Sequence, residues 1–194
     1  MEKASLIVIV GPSGCGKDSL ISYARHKLAA ESGIVFCHRY ITRAANAGSE
    51  NHIHLTEEEF TSRKSAGLFA MHWQSYGHHY GIGIEINQWL AKGVSVVVNG
   101  SRSHIADIQD NYPELKVVWV DVNEATLKQR LIARGREPLD AIEQRLQRNK
   151  TFFEYDKRRL QSRLIMLDNN AALQEAGEQL ILLLRNHLGS RICA

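Results

Sequence analysis

Nine consecutive residues near the start of the chain have the types and spacing of a loop that binds phosphate groups. The stretch Gly11-Pro12-Ser13-Gly14-Cys15-Gly16-Lys17-Asp18-Ser19 follows a short apolar run and precedes a helical pattern. Glycines in such a turn let successive backbone N–H groups point toward phosphate oxygens, and the following helix N-terminus adds its positive dipole. The Lys17 ammonium then reaches the β and γ phosphates of a nucleoside triphosphate. We therefore predict that residues 11–19 bind ATP and that Lys17 is catalytic.

The loop departs from the usual pattern at the position that binds magnesium. A serine or threonine normally follows the lysine, whereas this chain has Asp18 there and Ser19 one place later. A carboxylate often assists the metal after a nearby strand, but Asn99 stands at that place. We hypothesise that Asp18 supplies, directly or through water, the negative charge that Asn99 lacks, so that Asp18 and Ser19 hold Mg²⁺. The alternative is that Asp18 only favours the start of the helix.

Basic side chains gather in two further parts of the chain. The stretch 38–43 carries only basic charges, and a second basic run extends over residues 130–150. Arg102 follows a predicted strand, at the edge of a parallel sheet where ligands bind. Arginine holds phosphate through two parallel hydrogen bonds. These patterns predict that Arg39, Arg43 and Arg102 contact an anionic substrate.

The elements that must position these residues appear as apolar runs alternating with helical patterns. Short apolar runs at residues 5–10, 34–41, 94–98, 117–122 and 163–167 predict buried parallel strands. Helical spacing appears at residues 19–30, 85–92, 103–111, 124–133, 139–160 and 171–188. This alternation predicts an α/β fold, a doubly wound parallel sheet of five strands with helices on both faces. Ligands of such sheets bind at the carboxyl ends of the strands.

Two segments interrupt the alternation. Thr56 and Glu59 form a capping box that opens a short helix, and residues 68–76 alternate like strands of an antiparallel flap. We predict that residues 42–80 form an inserted flap that binds the acceptor. Residues 134–150 begin with a glycine-containing connection, which is typical of a closing lid. The chain is then one domain, residues 1–194, with its core in residues 1–41, 81–133 and 160–194.

The composition excludes several classes of protein. Of the 194 residues, 44% are hydrophobic and 23% are charged, and no apolar run approaches the roughly 18 residues that span a bilayer. The net charge of +3 is too small for a dedicated nucleic-acid-binding module. Cys15, Cys37 and Cys193 fit neither a disulfide scaffold nor a zinc ribbon. We expect a cytoplasmic protein without nucleic-acid or membrane partners; whether it forms a homodimer stays open.

The order of these motifs resembles that of guanylate kinases over nearly the whole chain. The matching segments are Gly11 to Lys17, Thr42-Arg43, Gly48 to Phe60, Tyr80-Gly81, and Arg134-Gly135 with Glu143 to Leu146. The resemblance implies a P-loop NTPase fold of the guanylate kinase type that uses ATP and Mg²⁺. It also implies that Arg43 and Tyr80 hold the acceptor phosphate, and that Arg134 and Arg145 of the lid stabilise the transferred phosphoryl group.

The acceptor site departs from the guanylate kinase pattern. The family's second phosphate-binding arginine falls near Ala45 and Asn46, its next tyrosine is replaced by His52, and its guanine-reading glutamate is replaced by Met71. Losing a group that hydrogen-bonds the base removes discrimination in favour of GMP. The pocket instead suits a small, highly anionic acceptor without a base, and we include His52 among its ligands.

Four longer strings resemble a narrower family. Residues 11–19, 38–43, 47–53 and 96–102 are similar to ribose 1,5-bisphosphate phosphokinases. This resemblance implies ATP-dependent phosphorylation of ribose 1,5-bisphosphate to 5-phospho-α-D-ribose 1-diphosphate in phosphonate degradation. The small-molecule substrate would be bound by Arg39, Arg43, His52, Tyr80 and Arg102. Two alternatives stay open: a guanylate kinase or other small-molecule kinase, and a kinase-like binding module that has lost catalysis.

Overall fold

The computed structural model of the chain describes residues 4–31, 33–44, 52–135, 137–147, 149 and 164–186. The strands are β1 (Leu6–Val10), β2 (Ile34–Phe36), β3 (Tyr40–Ile41), β4 (Ile53–His54), β5 (Phe69–Ser75), β6 (His78–Gly83), β7 (Ser95–Asn99), β8 (Lys116–Asp121) and β9 (Leu164–Asp168). The helices are α1 (Lys17–Lys27), α2 (Glu57–Ser65), α3 (Glu85–Ala91), α4 (Ile105–Ile108), α5 (Glu124–Arg134), α6 (139–147) and α7 (Leu173–Asn186). None of these helices combines the length and apolar character that crossing a membrane requires.

Five parallel strands form the central sheet, in the order β2-β7-β1-β8-β9. Successive side chains of a strand point to opposite faces of its sheet. In β1, Ile7 and Ile9 belong to a buried cluster with residues of α1, α5, α6 and α7, whereas Leu6, Val8 and Val10 belong to a cluster with residues of α3 and α4. The predicted α/β fold, a doubly wound five-stranded sheet with helices on both faces, is confirmed.

A second sheet of four strands packs against the first and contains the predicted flap. Its order is β4-β3-β6-β5, and β6 runs antiparallel to both of its neighbours. The Thr56 hydroxyl accepts from the N–H of Glu59, and the Glu59 carboxylate accepts from the N–H of Thr56, which confirms the predicted capping box. Ile41, Met71 and Tyr80 belong to the same buried cluster as one face of β1. Apolar packing therefore anchors the flap to the central sheet.

The run 34–41, predicted as one strand, is two strands in different sheets. β2 ends at Phe36 in the central sheet, and β3 begins at Tyr40 in the second sheet. The N–H of Cys37 still donates to the carbonyl of Val97 at 2.9 Å, and the chain then crosses over to pair with β6. Apolar periodicity reports burial but not the sheet that a strand joins. The prediction of one strand was wrong for this reason.

Two predicted helices differ from the structure in their bounds. The segment 103–111 is a 3-10 turn over Arg102–His104 followed by the single turn of α4. α1 begins at Lys17, earlier than predicted, because its N-cap residue Gly16 has a left-handed φ of 92° that allows the sharp entry from the loop. The helix predicted for 139–160 is present as α6, and most of its remainder lies outside the described residues.

Candidate active site

The loop between β1 and α1 packs tightly against neighbouring elements. Gly14 and Gly16 have φ values of 91° and 92°, a left-handed backbone that glycine adopts without steric cost. A Cβ atom at Gly16 would lie 2.7 Å from Nδ2 of Asn169. The Asn169 amide donates to the carbonyl of Cys15 at 2.6 Å, and Arg130 donates to the same carbonyl at 3.4 Å. Side chains that follow β9 and lie on α5 thus hold the loop in place.

Lys17 lies folded over the loop that precedes it. Its Nζ donates to the carbonyls of Gly11 at 2.8 Å and Pro12 at 3.1 Å. Within the loop, Pro12 and Cys15 are buried, whereas Lys17 lines an open cavity. Carbonyl contacts of this kind hold the ammonium against the start of the loop.

A cavity of about 800 Å³ opens between this loop, the second sheet and helices α5 and α6. Among the described residues, its lining contains seven lysine and arginine side chains: Lys17, Arg39, Arg43, Arg102, Arg130, Arg134 and Arg145. The acidic side chains in the same lining are Asp18 and Glu137. A concave site with such an excess of one charge attracts ligands of the opposite charge. The cavity therefore fits anionic ligands.

The structure brings most of the predicted site residues together in this lining. They are Gly11, Ser13, Gly14, Gly16, Lys17, Asp18 and Ser19 from the loop, Arg39, Arg43, Tyr80 and Arg102 from the predicted acceptor-binding set, and Arg134 and Arg145 from the predicted lid. Pro12, Cys15 and His52 do not line the cavity. Arg130 and Asn169 also line it and were not predicted as site residues. The spacing of Arg130 and Arg134, four residues apart on α5, was a signal that both lie on one helix face.

Asp18 lies between Asn99 and the predicted site residue Arg39. Its Oδ1 accepts a hydrogen bond of 2.7 Å from Nδ2 of Asn99 and lies 4.0 Å from a guanidinium nitrogen of Arg39. The Oδ1 of Asn99 is buried and has no hydrogen-bond partner among the described residues. The carboxylate and the amide oxygen thus come together at the carboxyl end of β7, beside the loop.

Aromatic rings support the arginines on the acceptor side. The Arg39 guanidinium lies over the ring of Tyr80 at 5.3 Å, and Tyr80 stacks on Trp73 with ring centroids 5.5 Å apart. Arg102 lies 5.6 Å over the ring of Trp119. Cation–π contacts of this kind orient a guanidinium without neutralising it. The rings of Tyr80 and Trp119 therefore orient these two guanidinium groups beside the cavity that both arginines line.

Two histidines hold the backbone of Arg43 instead of lining the cavity. The carbonyl oxygen of Arg43 lies 3.0 Å from Nε2 of His52 and 3.0 Å from Nδ1 of His54. His52 is buried, with 8% of its surface exposed. In this geometry both rings act as donors, since a carbonyl can only accept. His52 therefore contacts the residue predicted to bind the acceptor.

The imidazole of His38, the residue before Arg39, is partly buried, and its burial affects its pKa. This burial lowers the pKa of the His38 imidazole, and the positive charge of Arg25 lowers that pKa further. Because an ordinary imidazole has a pKa of about 6.5, His38 is neutral at pH 7. The His38 imidazole therefore adds no positive charge beside Arg39.

On α6, Arg145 reaches back to the loop between β1 and α1. One guanidinium nitrogen donates to Oγ of Ser13 at 3.1 Å, and another donates to the carboxylate of Glu137 at 2.5 Å. The side chain of Arg145 is 12% exposed. A guanidinium from α6 is therefore already directed at the loop.

Known proteins resemble this chain in sequence and in fold. The guanylate kinase family model matches residues 3–182. A protein of Thiobacillus denitrificans named ribose 1,5-bisphosphate phosphokinase PhnN is 48% identical over 184 residues, which cover 95% of this chain and 94% of the relative. This chain belongs to the PhnN group of the guanylate kinase family. A PhnN relative of Desulfomicrobium baculatum is 50% identical over 177 residues, which cover 91% and 92% of the two chains.

A solved structure shares the fold at much lower identity. The crystal structure of guanylate kinase from Anaplasma phagocytophilum superposes with a TM-score of 0.67 at 17% identity, covering 98% of this chain and 89% of that one. The predicted guanylate kinase-like P-loop fold and the resemblance to the PhnN group are confirmed.

In this PhnN-group chain, Met71 stands where guanylate kinases have their guanine-reading glutamate. Met71 is 7% exposed, belongs to a buried apolar cluster and is not part of the cavity lining.

Proposed function

We propose that this chain transfers the γ-phosphoryl group of ATP to ribose 1,5-bisphosphate and forms 5-phospho-α-D-ribose 1-diphosphate. The observation that carries the proposal is the cavity whose lining, among the described residues, holds seven lysine and arginine side chains against two acidic ones. Both substrates are polyanions, so bringing them together requires this excess of positive charge. The PhnN relatives are named ribose 1,5-bisphosphate phosphokinases, and this name supplies the identity of the acceptor.

The reaction needs positioning and charge neutralisation more than acid–base chemistry. An oxygen of the 1-phosphate, already ionised near neutral pH, attacks the γ-phosphorus of ATP, and the bond from that phosphorus to the β-phosphate oxygen breaks to release ADP. No general base is required for this step. The Lys17 ammonium and the guanidinium groups of Arg134 and Arg145 would stabilise the charge on the transferring group.

The acceptor has two phosphate groups that must be held apart and in line. We assign it to the flap, residues 42–80, which contains Arg43, and to Arg39 and Arg102, which line the same cavity. Residues 134–150 would act as the lid. Bidentate hydrogen bonds from guanidinium groups fix both the position and the orientation of a phosphate. Tyr80 would contribute by holding the Arg39 guanidinium over its ring, where Cζ of Arg39 lies 5.3 Å from the ring centre.

The oxygen atoms beside the loop fit a magnesium ion. Asp18 and Ser19 both line the cavity, and the unpartnered Oδ1 of Asn99 lies beside Asp18. Carboxylate, hydroxyl and amide oxygens are the ligands that Mg²⁺ takes, and phosphates and water complete its shell. Mg²⁺ bound there would neutralise part of the charge on the ATP phosphates. Asp18 and Ser19 are the residues that we propose to hold it.

The decisive experiment compares acceptors with the purified protein. ADP release from ATP is measured with ribose 1,5-bisphosphate, with GMP and without acceptor, and the product is identified by phosphorus NMR as a diphosphate. We expect kcat/KM for ribose 1,5-bisphosphate to exceed that for GMP by at least about 10²-fold, because the base-reading glutamate is absent. Faster transfer to GMP, or ADP release that no acceptor stimulates, would refute the proposal.

A matched pair of variants tests the assignment of the acceptor side. Arg43→Lys keeps one positive charge but loses the planar fork, so KM for ribose 1,5-bisphosphate should rise by roughly tenfold. Arg185→Lys makes the same change on α7, where Arg185 pairs with Glu31 outside the cavity lining. That control should keep wild-type kinetics. Equal kinetics for the two variants would remove Arg43 from the acceptor site.

A further inference from the structure

An aromatic side chain at the tip of the flap contacts the lid. Tyr76 lies in the turn between β5 and β6, and the Cζ atom of Arg145 in α6 lies 5.0 Å from the centre of its ring. Both residues line the cavity. The Tyr76 side chain makes this contact although the residue is 66% exposed. Flap and lid therefore meet at a cation–π pair.

This pair completes the surroundings of the Arg145 guanidinium. Ser13 of the loop and Glu137 of the lid each accept one hydrogen bond from it, and the Tyr76 ring covers it from the flap. The Nε of Arg145 is buried and has no hydrogen-bond partner among the described residues. A cation–π contact attracts a guanidinium without using its donors. The Tyr76 ring thus holds the group in place without occupying any of its N–H donors.

The backbone at Tyr76 favours a different residue type. Ser75 pairs with His78, so Tyr76 and Gly77 form a two-residue hairpin turn, and their φ values are 49° and 75°. A turn with positive φ at both central positions is type I′ and strongly prefers Asn-Gly. A bulky residue in this conformation is an outlier that costs stability. The hairpin alone gives no reason for a tyrosine at this position.

We propose that Tyr76 is a positioning residue for phosphoryl transfer: its ring holds the Arg145 guanidinium at the phosphate-binding loop and joins the acceptor flap to the lid. This inference rests on the proposed function, in which Arg145 stabilises the transferring phosphoryl group. The ring contacts Arg145 and acts through it, so its removal should lower kcat more than it changes KM.

Two variants separate positioning from structure. Tyr76→Asn installs the residue that the turn prefers and removes the ring, so the melting temperature should stay equal or rise while kcat with ribose 1,5-bisphosphate falls about 3- to 30-fold. KM for ATP and for the acceptor should change less than about twofold, as expected when an interaction made only in the transition state is lost. Tyr76→Phe keeps the ring and should retain at least about half of the wild-type kcat.

A double-mutant cycle identifies the partner of the ring. Arg145→Ala and Tyr76→Asn should be clearly non-additive in kcat, because each removes the contact between the ring and the guanidinium. A kcat for Tyr76→Asn within twofold of wild type, an equal loss for Tyr76→Phe, or additive losses would each overturn the inference.

The wild-type rate with ribose 1,5-bisphosphate separates the two proposals. If that rate is absent, the proposed function fails, and the ratio of Tyr76→Asn to Tyr76→Phe is measured instead with GMP or on the acceptor-free hydrolysis of ATP. A ratio well below one in those assays supports the positioning role on its own, and a ratio of one overturns it.

Discussion

The side-chain amide of Asn99 donates a hydrogen bond of 2.7 Å to the carboxylate of Asp18 across 81 residues of sequence. Asn99 ends β7, and Asp18 lies in the first turn of α1, which follows β1 through the phosphate-binding loop. Because β7 and β1 are adjacent parallel strands, the end of one lies beside the loop that leaves the other. Asp18 and Asn99, the two residues that depart from the usual motif, are therefore in direct contact. The hypothesis that Asp18 supplies the charge that Asn99 lacks requires this contact.

Asn99→Asp tests this pairing. The substitution replaces the donor with a second carboxylate next to Asp18, so it removes a charge-assisted hydrogen bond and adds repulsion. We expect the free energy of unfolding to fall by about 1 to 3 kcal/mol without magnesium. Because Mg²⁺ relieves the repulsion, the rise in melting temperature on adding MgCl₂ should exceed that of the wild type. The double variant Asp18→Asn with Asn99→Asp keeps one carboxylate and should recover the lost stability; no recovery would contradict the pairing.

Lys17→Met should abolish turnover and spare the fold. Within the described part of the chain its ammonium donates only to loop groups, so the melting temperature should change little. Loss of a charge that faces the transferring phosphoryl group, in contrast, costs roughly 10² to 10³ in kcat. Lys27→Met, at the other end of α1, is the matched control and should keep wild-type activity. A Lys17→Met enzyme with more than a tenth of the wild-type kcat would argue against the assigned role.

His52 should act on the acceptor through the backbone of Arg43. His52→Ala removes a buried donor to the Arg43 carbonyl, so we expect KM for ribose 1,5-bisphosphate to rise about 3- to 10-fold with a smaller change in kcat. His52→Gln retains an N–H donor and should recover part of the loss. His54→Ala removes a more exposed donor to the same oxygen and should have a smaller effect. A larger effect from His54 than from His52 would reverse this order.

Gly16→Ala compared with Gly33→Ala separates crowding from backbone strain. Both glycines have left-handed φ values, 92° and 96°, so both substitutions carry the strain of a positive φ, roughly 1 kcal/mol or more. At Gly33 nothing lies within 4 Å of an added Cβ, whereas at Gly16 the Asn169 amide does. Urea unfolding should show a further loss of at least about 1 kcal/mol for Gly16→Ala. Equal losses would mean that Asn169 moves aside freely.

Cys37 makes stability depend on pH in the alkaline range. Burial, and secondarily the charge of Glu85, raises the pKa of the Cys37 thiol to about 12, although Arg25 opposes this shift. The unfolded thiol, with a pKa of about 8.5, loses its proton first, so this contribution is fully present below about pH 8.5 and is lost as pH rises toward 12. Urea unfolding between pH 8 and pH 10.5 should show a slope for the wild type that is steeper than that of Cys37→Ala by up to about 1.4 kcal/mol per pH unit. Parallel slopes would show that the thiol is ionised in the folded protein.

The sequence by itself determined the central sheet and the phosphate-binding loop. β1, β7, β8 and β9 appear in the structure within a residue or two of the predicted runs, because buried parallel strands need continuous apolar residues. The loop needs glycines at positions with a left-handed backbone, so its conformation can be predicted from neighbouring residues in the sequence. The capping box at Thr56 and Glu59 was predictable for the same reason, since its hydrogen bonds span only three residues.

The tertiary structure alone decided which distant side chains share the cavity. Arg130 and Asn169 reach the loop, Tyr76 meets Arg145, and His52 turns to the Arg43 backbone instead of the cavity. Each of these contacts joins elements that are far apart in sequence or depends on the direction in which a packed side chain points. Local patterns report burial and backbone conformation, but they do not report the direction of a side chain or the element that packs opposite it. The split of residues 34–41 between two sheets has the same cause.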